Sequence, residues 1–152
     1  MEIEGKSVIV TGGASGLGEA TVRKLHSHGA RVTIADVNSD RGKSLQADLQ
    51  QGIAIIETDV RNATSVQQAI DQVMQQHGGL HILVNCAGIA IAEKILGKEG
   101  PHNLDRFADV IQVNLIGTFN TLRLAAAAMA GNQPDQEGER GVIINTASVA
   151  AL

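Results

Sequence analysis

Polar residues that could do chemistry stand directly after short β-branched runs in this 152-residue sequence, and they do so repeatedly. Ser7–Thr11 runs into Thr11-Gly12-Gly13-Ala14-Ser15-Gly16-Leu17-Gly18, and Arg31–Ala35 ends in Asp36. Ile53–Glu57 is followed by Asp59-Val60, His81–Val84 by Asn85-Cys86-Ala87-Gly88, and Val142–Asn145 by Ser148. A glycine turn passing straight from strand to helix aims the helix's unpaired N–H groups and positive dipole end outward, which suits a pyrophosphate. Gly12, Gly16 and Gly18 would let the backbone turn tightly, approach the phosphates and pack the helix on the sheet. Ser15 adds a hydroxyl donor. The turn therefore predicts a bound dinucleotide, against the plainer reading of a tight turn alone.

Asp36 stands where an acid accepts hydrogen bonds from the adenosine ribose. A 2′-phosphate there would meet a fixed negative charge at ~4 Å, at a cost of up to a few kcal/mol, so NAD is expected over NADP. A turn-capping Asp is the alternative. Asp59 and Val60 can bracket an adenine ring, with Asp59 accepting from its exocyclic amine, or Asp59 can simply cap a helix. Cys86 taken alone reads as a small buried hydrophobe rather than a reactive thiol. His26, His28, His77, His81 and His102 lack metal-ligand spacing, and no metal site is expected.

The elements that must hold these residues follow from periodicity. A helix over Gly16–His28, with Leu17, Ala20, Thr21 and Leu25 on its inner face, ends at Gly29. Ser39 can cap a helix through Gln51 that carries Leu45 and Leu49 inward, with Gly52 just past its end. Asn62 precedes an amphipathic helix with Val66, Ala69, Ile70, Val73 and Met74 at the i, i+3, i+4, i+7, i+8 positions, ended by Gly78-Gly79. After a loose stretch from Ile89 to Asn103, one long helix is predicted from Leu104 to about Ala130. Its apolar side carries Phe107, Val110, Ile111, Leu115, Phe119, Leu122 and Met129. Asn114 interrupts that apolar half, where a polar side chain is costly unless bonded; it serves either to bond a neighbouring strand or to relay a proton or water.

Strands alternating with helices imply right-handed βαβ units and a doubly wound, parallel α/β sheet with helices on both faces. Ligands bind such sheets beyond the carboxyl ends of the strands, the rim on which all five clusters fall. Composition narrows the classes. The sequence is 43% hydrophobic and 18% charged with a net charge of -4, a globular make-up without the basic face that nucleic acid or an anionic membrane requires. One cysteine excludes a disulfide framework, and the acidic start Met1-Glu2-Ile3-Glu4 is unlike a targeting segment. A soluble, cytoplasmic protein is the expectation.

Taken together, these motifs resemble the short-chain dehydrogenase/reductase family. Thr11-Gly12-x-x-x-Gly16-x-Gly18 matches its nucleotide turn, Asn85-Cys86-Ala87-Gly88 looks like its N-N-A-G segment, and Asn114 and Ser148 fall where it keeps two of four catalytic residues. The likeness is nearest to its type II 3-hydroxyacyl-CoA dehydrogenases, through the loop Asn132–Gly141 and the run Ile143–Ala151. The resemblance implies a Rossmann-type fold and NAD contacts from Ser15, Leu17, Asp36, Asp59, Val60 and, through its backbone, Cys86. It implies that Ser148 bonds the substrate's oxygen and Asn114 holds a relay water. It further implies hydride transfer from a secondary alcohol, in the nearest group a 3-hydroxyacyl-CoA, and a homo-oligomer, commonly a tetramer.

The sequence departs from that family's pattern in one respect. The family's Tyr, lowered from a pKa of about 10 by a Lys four residues on, is absent, because there is no tyrosine anywhere. The expectation is a dinucleotide-binding domain over 1–152, cut short after the fifth strand, that would be inactive by itself. The alternatives are a nucleotide-binding module without redox chemistry and an epimerase-like relative.

Overall fold

The computed structural model describes residues 1–98 and 100–148. Five parallel strands, β1 (Ser7–Thr11), β2 (Arg31–Asp36), β3 (Ile53–Glu57), β4 (Ile82–Asn85) and β5 (Val142–Asn145), form one sheet in the order β3-β2-β1-β4-β5. The chain steps outward from β1 to β3, then returns to lay β4 against β1's other side. Strand order thus reverses between β1 and β4, the place where an open α/β sheet forms its ligand crevice. The end of the Ile143–Ala151 run, 149–151, lies outside the described residues.

Helices α1 (Gly16–Ser27) and α2 (Ser39–Leu49) bring Val22 and Leu45 onto one face of the sheet, against Val8, Val10, Ile34 and Val84. Helix α3 (Ala63–His77) covers the other face with Val66, Ile70 and Val73, packed with Ile9 and Leu83, as its spacing predicts. β1, buried throughout, is apolar on both sides because both sides meet helices. A two-residue antiparallel ladder, Leu96–Gly97 with Gly100–Pro101, sits in the loop after β4. Among the described residues no helix is long and apolar enough to cross a membrane.

Three local expectations are corrected. The inner face of α1 carries Gly18 and Val22, while Leu17 is 70% exposed. The cap of α2 is Asn38, whose side chain accepts from Arg41 N, not Ser39. The predicted long helix is α4 (Leu104–Ile111), a π-helical segment (Gln112–Gly117) and α5 (Thr118–Met129) in unbroken succession. Its large apolar stripe points away from the sheet: Leu104, Phe107, Leu115 and Phe119 are 75, 54, 60 and 61% exposed. The buried face is Gly117, Thr121, Ala125 and, as its spacing predicts, Met129, at intervals of four. Small side chains let the helix lie close to the sheet. A Cβ at Gly117 would stand 2.5 Å from Val60 Cγ2.

Two features yield stability predictions. Gln50, the residue after α2, holds φ 63° and ψ -115°, a conformation that favours glycine. Gln50→Gly should therefore raise unfolding free energy by about 1 kcal/mol, measured by urea denaturation. On β1, Ser7 Oγ lies 2.7 Å from His81 Nδ1, and Ser7 N donates to the same atom at 3.3 Å. Burial first, then the charges of Lys6 and Arg31, holds the His81 imidazole below its ordinary pKa; burial and Arg31 do the same to His77. Above the unfolded value of about 6.5 both states are neutral. On acidification the unfolded chain takes up protons first, so stability should fall between about pH 7.5 and 5.5. The same denaturation series should show a smaller fall for His81→Asn, whose amide oxygen can still accept from Ser7.

Candidate dinucleotide-binding site

At the carboxyl ends of β1, β2, β3 and β4 the structure opens into a cavity of about 550 Å³. The turn after β1 forms its floor. Gly12 has φ +63°, and a Cβ there would stand 2.7 Å from Ala87 Cα, so the turns after β1 and β4 touch backbone to backbone. A Cβ at Gly18 would collide with the carbonyl oxygen of Gly12, which is how the third glycine seats α1 on the turn.

The helix entries differ in how their amides are satisfied. Asn38, Asn62 and Asn103 cap α2, α3 and α4 with side-chain oxygens. α1 is preceded by Ser15 at the cap position, whose side chain makes no capping bond, so the helix's first amides have no side-chain partner and belong to residues that border the cavity. This start, with room at Gly12 for backbone only, fits the diphosphate of a dinucleotide.

Asp36 is placed across the same turn. Its Oδ2 accepts from Ala14 N at 3.0 Å and its Oδ1 from Asn38 N at 2.9 Å, which leaves lone pairs over on a residue that borders the cavity. Asp59 also lines the cavity but is engaged: Arg61 holds both carboxylate oxygens, with Nη2 2.8 Å from Oδ2 and Nε 3.0 Å from Oδ1. That side-chain pairing holds the Asp59 carboxyl below its usual range.

Of the residues assigned to the cofactor from sequence, Gly12, Ser15, Gly16, Leu17, Gly18, Asp36, Asp59, Val60, Cys86, Ala87 and Gly88 all border the cavity. Asn85 does not. It is 4% exposed and sits behind the cavity wall, where its Oδ1 accepts from Thr121 Oγ1 at 2.7 Å and Thr11 Oγ1 at 3.3 Å. Its Nδ2 donates to Asn145 Oδ1 at 2.9 Å, so one amide ties β1, β4, β5 and α5 together. Thr11 Oγ1 in turn accepts from the amides of Cys86 and Ala87, each at 3.2 Å.

Asn114 lies in the π-helical segment and bonds both backbone groups of Ile89: Oδ1 accepts from Ile89 N and Nδ2 donates to Ile89 O, each at 2.9 Å. Those bonds go to the loop beyond β4 and not to a strand. Ser148 is exposed, three residues past β5. Val37, Arg61, Ile89, Asp109 and Val113 border the cavity as well and were not singled out from sequence. Arg61 carried a usable signal, being adjacent to Asp59-Val60; the others have nothing local in the sequence to mark them. Away from the cavity, Asp135, Glu137 and Glu139 bring carboxylate oxygens within 4.8 Å of one another, but the amino group of Met1 already lies 2.9 Å from Glu139 and 3.3 Å from Glu137.

The sequence profile described as short chain dehydrogenase matches residues 6–152. Over 152 residues the chain is 46% identical to a 3-hydroxyacyl-CoA dehydrogenase type-2 from Bos taurus, covering 99% of this chain and 58% of that protein. The protein of the same name from Drosophila melanogaster is 44% identical, covering 95% of this chain and 57% of its own length. A crystal structure of 3-hydroxyacyl-CoA dehydrogenase type-2 from Mycobacterium avium superposes with a TM-score of 0.90 at 40% identity, over 99% of this chain and 60% of that one. The chain thus spans a little under three-fifths of the length of these curated relatives. Likeness at this level of identity reflects descent as well as shape, and the chain belongs to the short-chain dehydrogenase family.

Proposed function

We propose that these residues form the NAD-binding part of a dehydrogenase that oxidises a secondary alcohol, with a 3-hydroxyacyl-CoA as the substrate class. The observation that carries the reading is the start of α1, which lacks a side-chain cap and opens on a cavity floored by Gly12 and edged by Asp36. When bound, NAD supplies a hydride acceptor. The chain's own residues do the holding. The amides following Ser15 face the diphosphate, and Asp36 accepts from the ribose hydroxyls with the lone pairs left by Ala14 and Asn38. Leu17, Val37 and Val60 give the adenosine apolar walls.

Toward the substrate, the hydroxyl of Ser148 donates to the reacting oxygen. Asn114 fixes the Ile89 backbone, and its amide keeps one lone pair and one N–H with which to hold a water. The phenol that would exchange a proton with the alcohol is not among the 152 residues, which contain no tyrosine. Turnover is accordingly a property of the intact enzyme, and the 152-residue chain by itself binds cofactor without oxidising alcohol. The exposed apolar stripe along α4, the π-helical segment and α5 supports a homo-oligomer joined through Phe107, Leu115 and Phe119.

Isothermal titration should give NADH an affinity at least about tenfold above that of NADPH, the equivalent of ~1.4 kcal/mol of repulsion at Asp36. Asp36→Asn should weaken NADH and narrow that gap. Equal affinities in the unaltered chain would remove Asp36 from the ribose. Light scattering should report a multimer that Phe107→Glu with Phe119→Glu converts toward monomer; a monomeric unaltered chain would refute the stripe as an interface.

A further inference from the structure

We infer that Arg61 reads adenine together with Asp59: the carboxylate accepts from the exocyclic amine while a guanidinium N–H donates to the ring nitrogen beside it. The inference rests on the dinucleotide reading above and adds Arg61 to the residues that hold the cofactor. Adenine's amine is flanked by N1 and N7, so either edge of the base presents a donor next to an acceptor. An acceptor next to a donor is what a protein must offer in return, the pattern with which an Asn or Gln amide pairs with N6 and N7 of adenine.

The fork between Asp59 and Arg61 leaves such a pattern over. A carboxylate offers about four lone-pair sites. Asp59 Oδ1 accepts from Arg61 N at 2.9 Å and Nε at 3.0 Å, while Oδ2 accepts from Nη2 at 2.8 Å and shares the Nε hydrogen at 3.1 Å. Three hydrogens engage the carboxylate, and Oδ2 keeps room for one more donor. A guanidinium carries five N–H groups. Here Nε–H and one hydrogen of Nη2 are spent, and Nη1 with the second Nη2 hydrogen has no partner among the described residues. The unspent acceptor and donor are neighbours, because Oδ2 and Nη2 are themselves bonded. A guanidinium–carboxylate fork holds both groups near one plane, as pairing with a flat base requires. The carbonyl of Val60, next along the wall, does not compete for the amine: it accepts from Asn120 Nδ2 at 2.8 Å, and Asn120 is 6% exposed. Among the described residues that border the cavity, Arg61 is the one whose side chain carries N–H groups. Arg61 is 47% exposed and Asp59 35%, which leaves the fork open to a ligand and to substitution without disturbing the core.

The test is isothermal titration of the 152-residue chain with NADH and with its 1-deaza and 7-deaza analogues, in which C–H replaces one ring nitrogen of adenine. Reduced nicotinamide mononucleotide, which lacks the base, is the control. Arg61→Ala should weaken NADH about tenfold, the scale of one hydrogen bond from a charged donor, and leave the mononucleotide unchanged. Arg61→Met, which keeps an apolar stem without N–H groups, should do the same and provides a second variant should one fold poorly. The analogue missing the recognised nitrogen should bind the unaltered chain about as weakly as NADH binds Arg61→Ala, and the substitution should weaken it no further. The other analogue should behave like NADH, which tells N1 from N7. Undiminished NADH affinity in both variants, or a loss shared equally by both analogues or by the mononucleotide, would overturn the inference while leaving the dinucleotide site standing. Failure of NADH to bind the unaltered chain would overturn the site and the inference together.

Discussion

Between β1 and β4 the chain has room for backbone and nothing more. Gly12 presses against Ala87 where a Cβ would stand 2.7 Å from its Cα, and the rest of the cavity is arranged around that contact. Thr11 holds the two turns in register by accepting from the amides of Cys86 and Ala87. Behind it, Asn85 spends both lone pairs and one N–H on Thr11, Thr121 and Asn145. In a low-dielectric wall a network of this kind is stiff only when its members are satisfied, and each amide and hydroxyl here has a partner. The floor is thereby fixed before any ligand arrives, which is the arrangement that costs least on binding.

The α4–α5 helix acts as a beam along the far wall. Asn114 bonds the Ile89 backbone beyond β4, and Asn120 bonds the Val60 carbonyl beyond β3, so one helix sets the position of two separate cavity segments. A π-helical turn at Gln112–Gly117 contains the first of these asparagines and ends just before the second. Such a turn inserts a residue into the helical repeat and rotates the succeeding residues about the axis, and π-bulges are concentrated at functional sites. Gly117, at the end of that turn, allows the beam to come within contact of Val60.

The outer side of the same helix has a different character. Leu104, Phe107, Leu115 and Phe119 form an apolar stripe left exposed, while the sheet-facing side is built of small residues. β5 is a lightly covered edge, with Ile144 half-exposed, in keeping with its place at the end of the strand order.

Strand and helix identities were legible in the sequence because both faces of the sheet are covered, which makes strands continuous apolar runs and helices clean 3.6-residue patterns. The place of the glycine turn and of Asp36 on one cavity was legible because both follow parallel strands directly and so fall on the same rim of the sheet. The inner face of α5 was not. Hydrophobicity alone nominates Phe119 and Leu122, whereas close approach to the sheet selects Gly117, Thr121 and Ala125, and closeness is a property of the packed state. Nor could spacing reveal that Arg61 would fold back on Asp59, that Asn85 would face the wall instead of the cavity, or that Asn114 would reach Ile89. Each is a bond whose choice of partner depends on distances set only when the sheet, its turns and its helices come together.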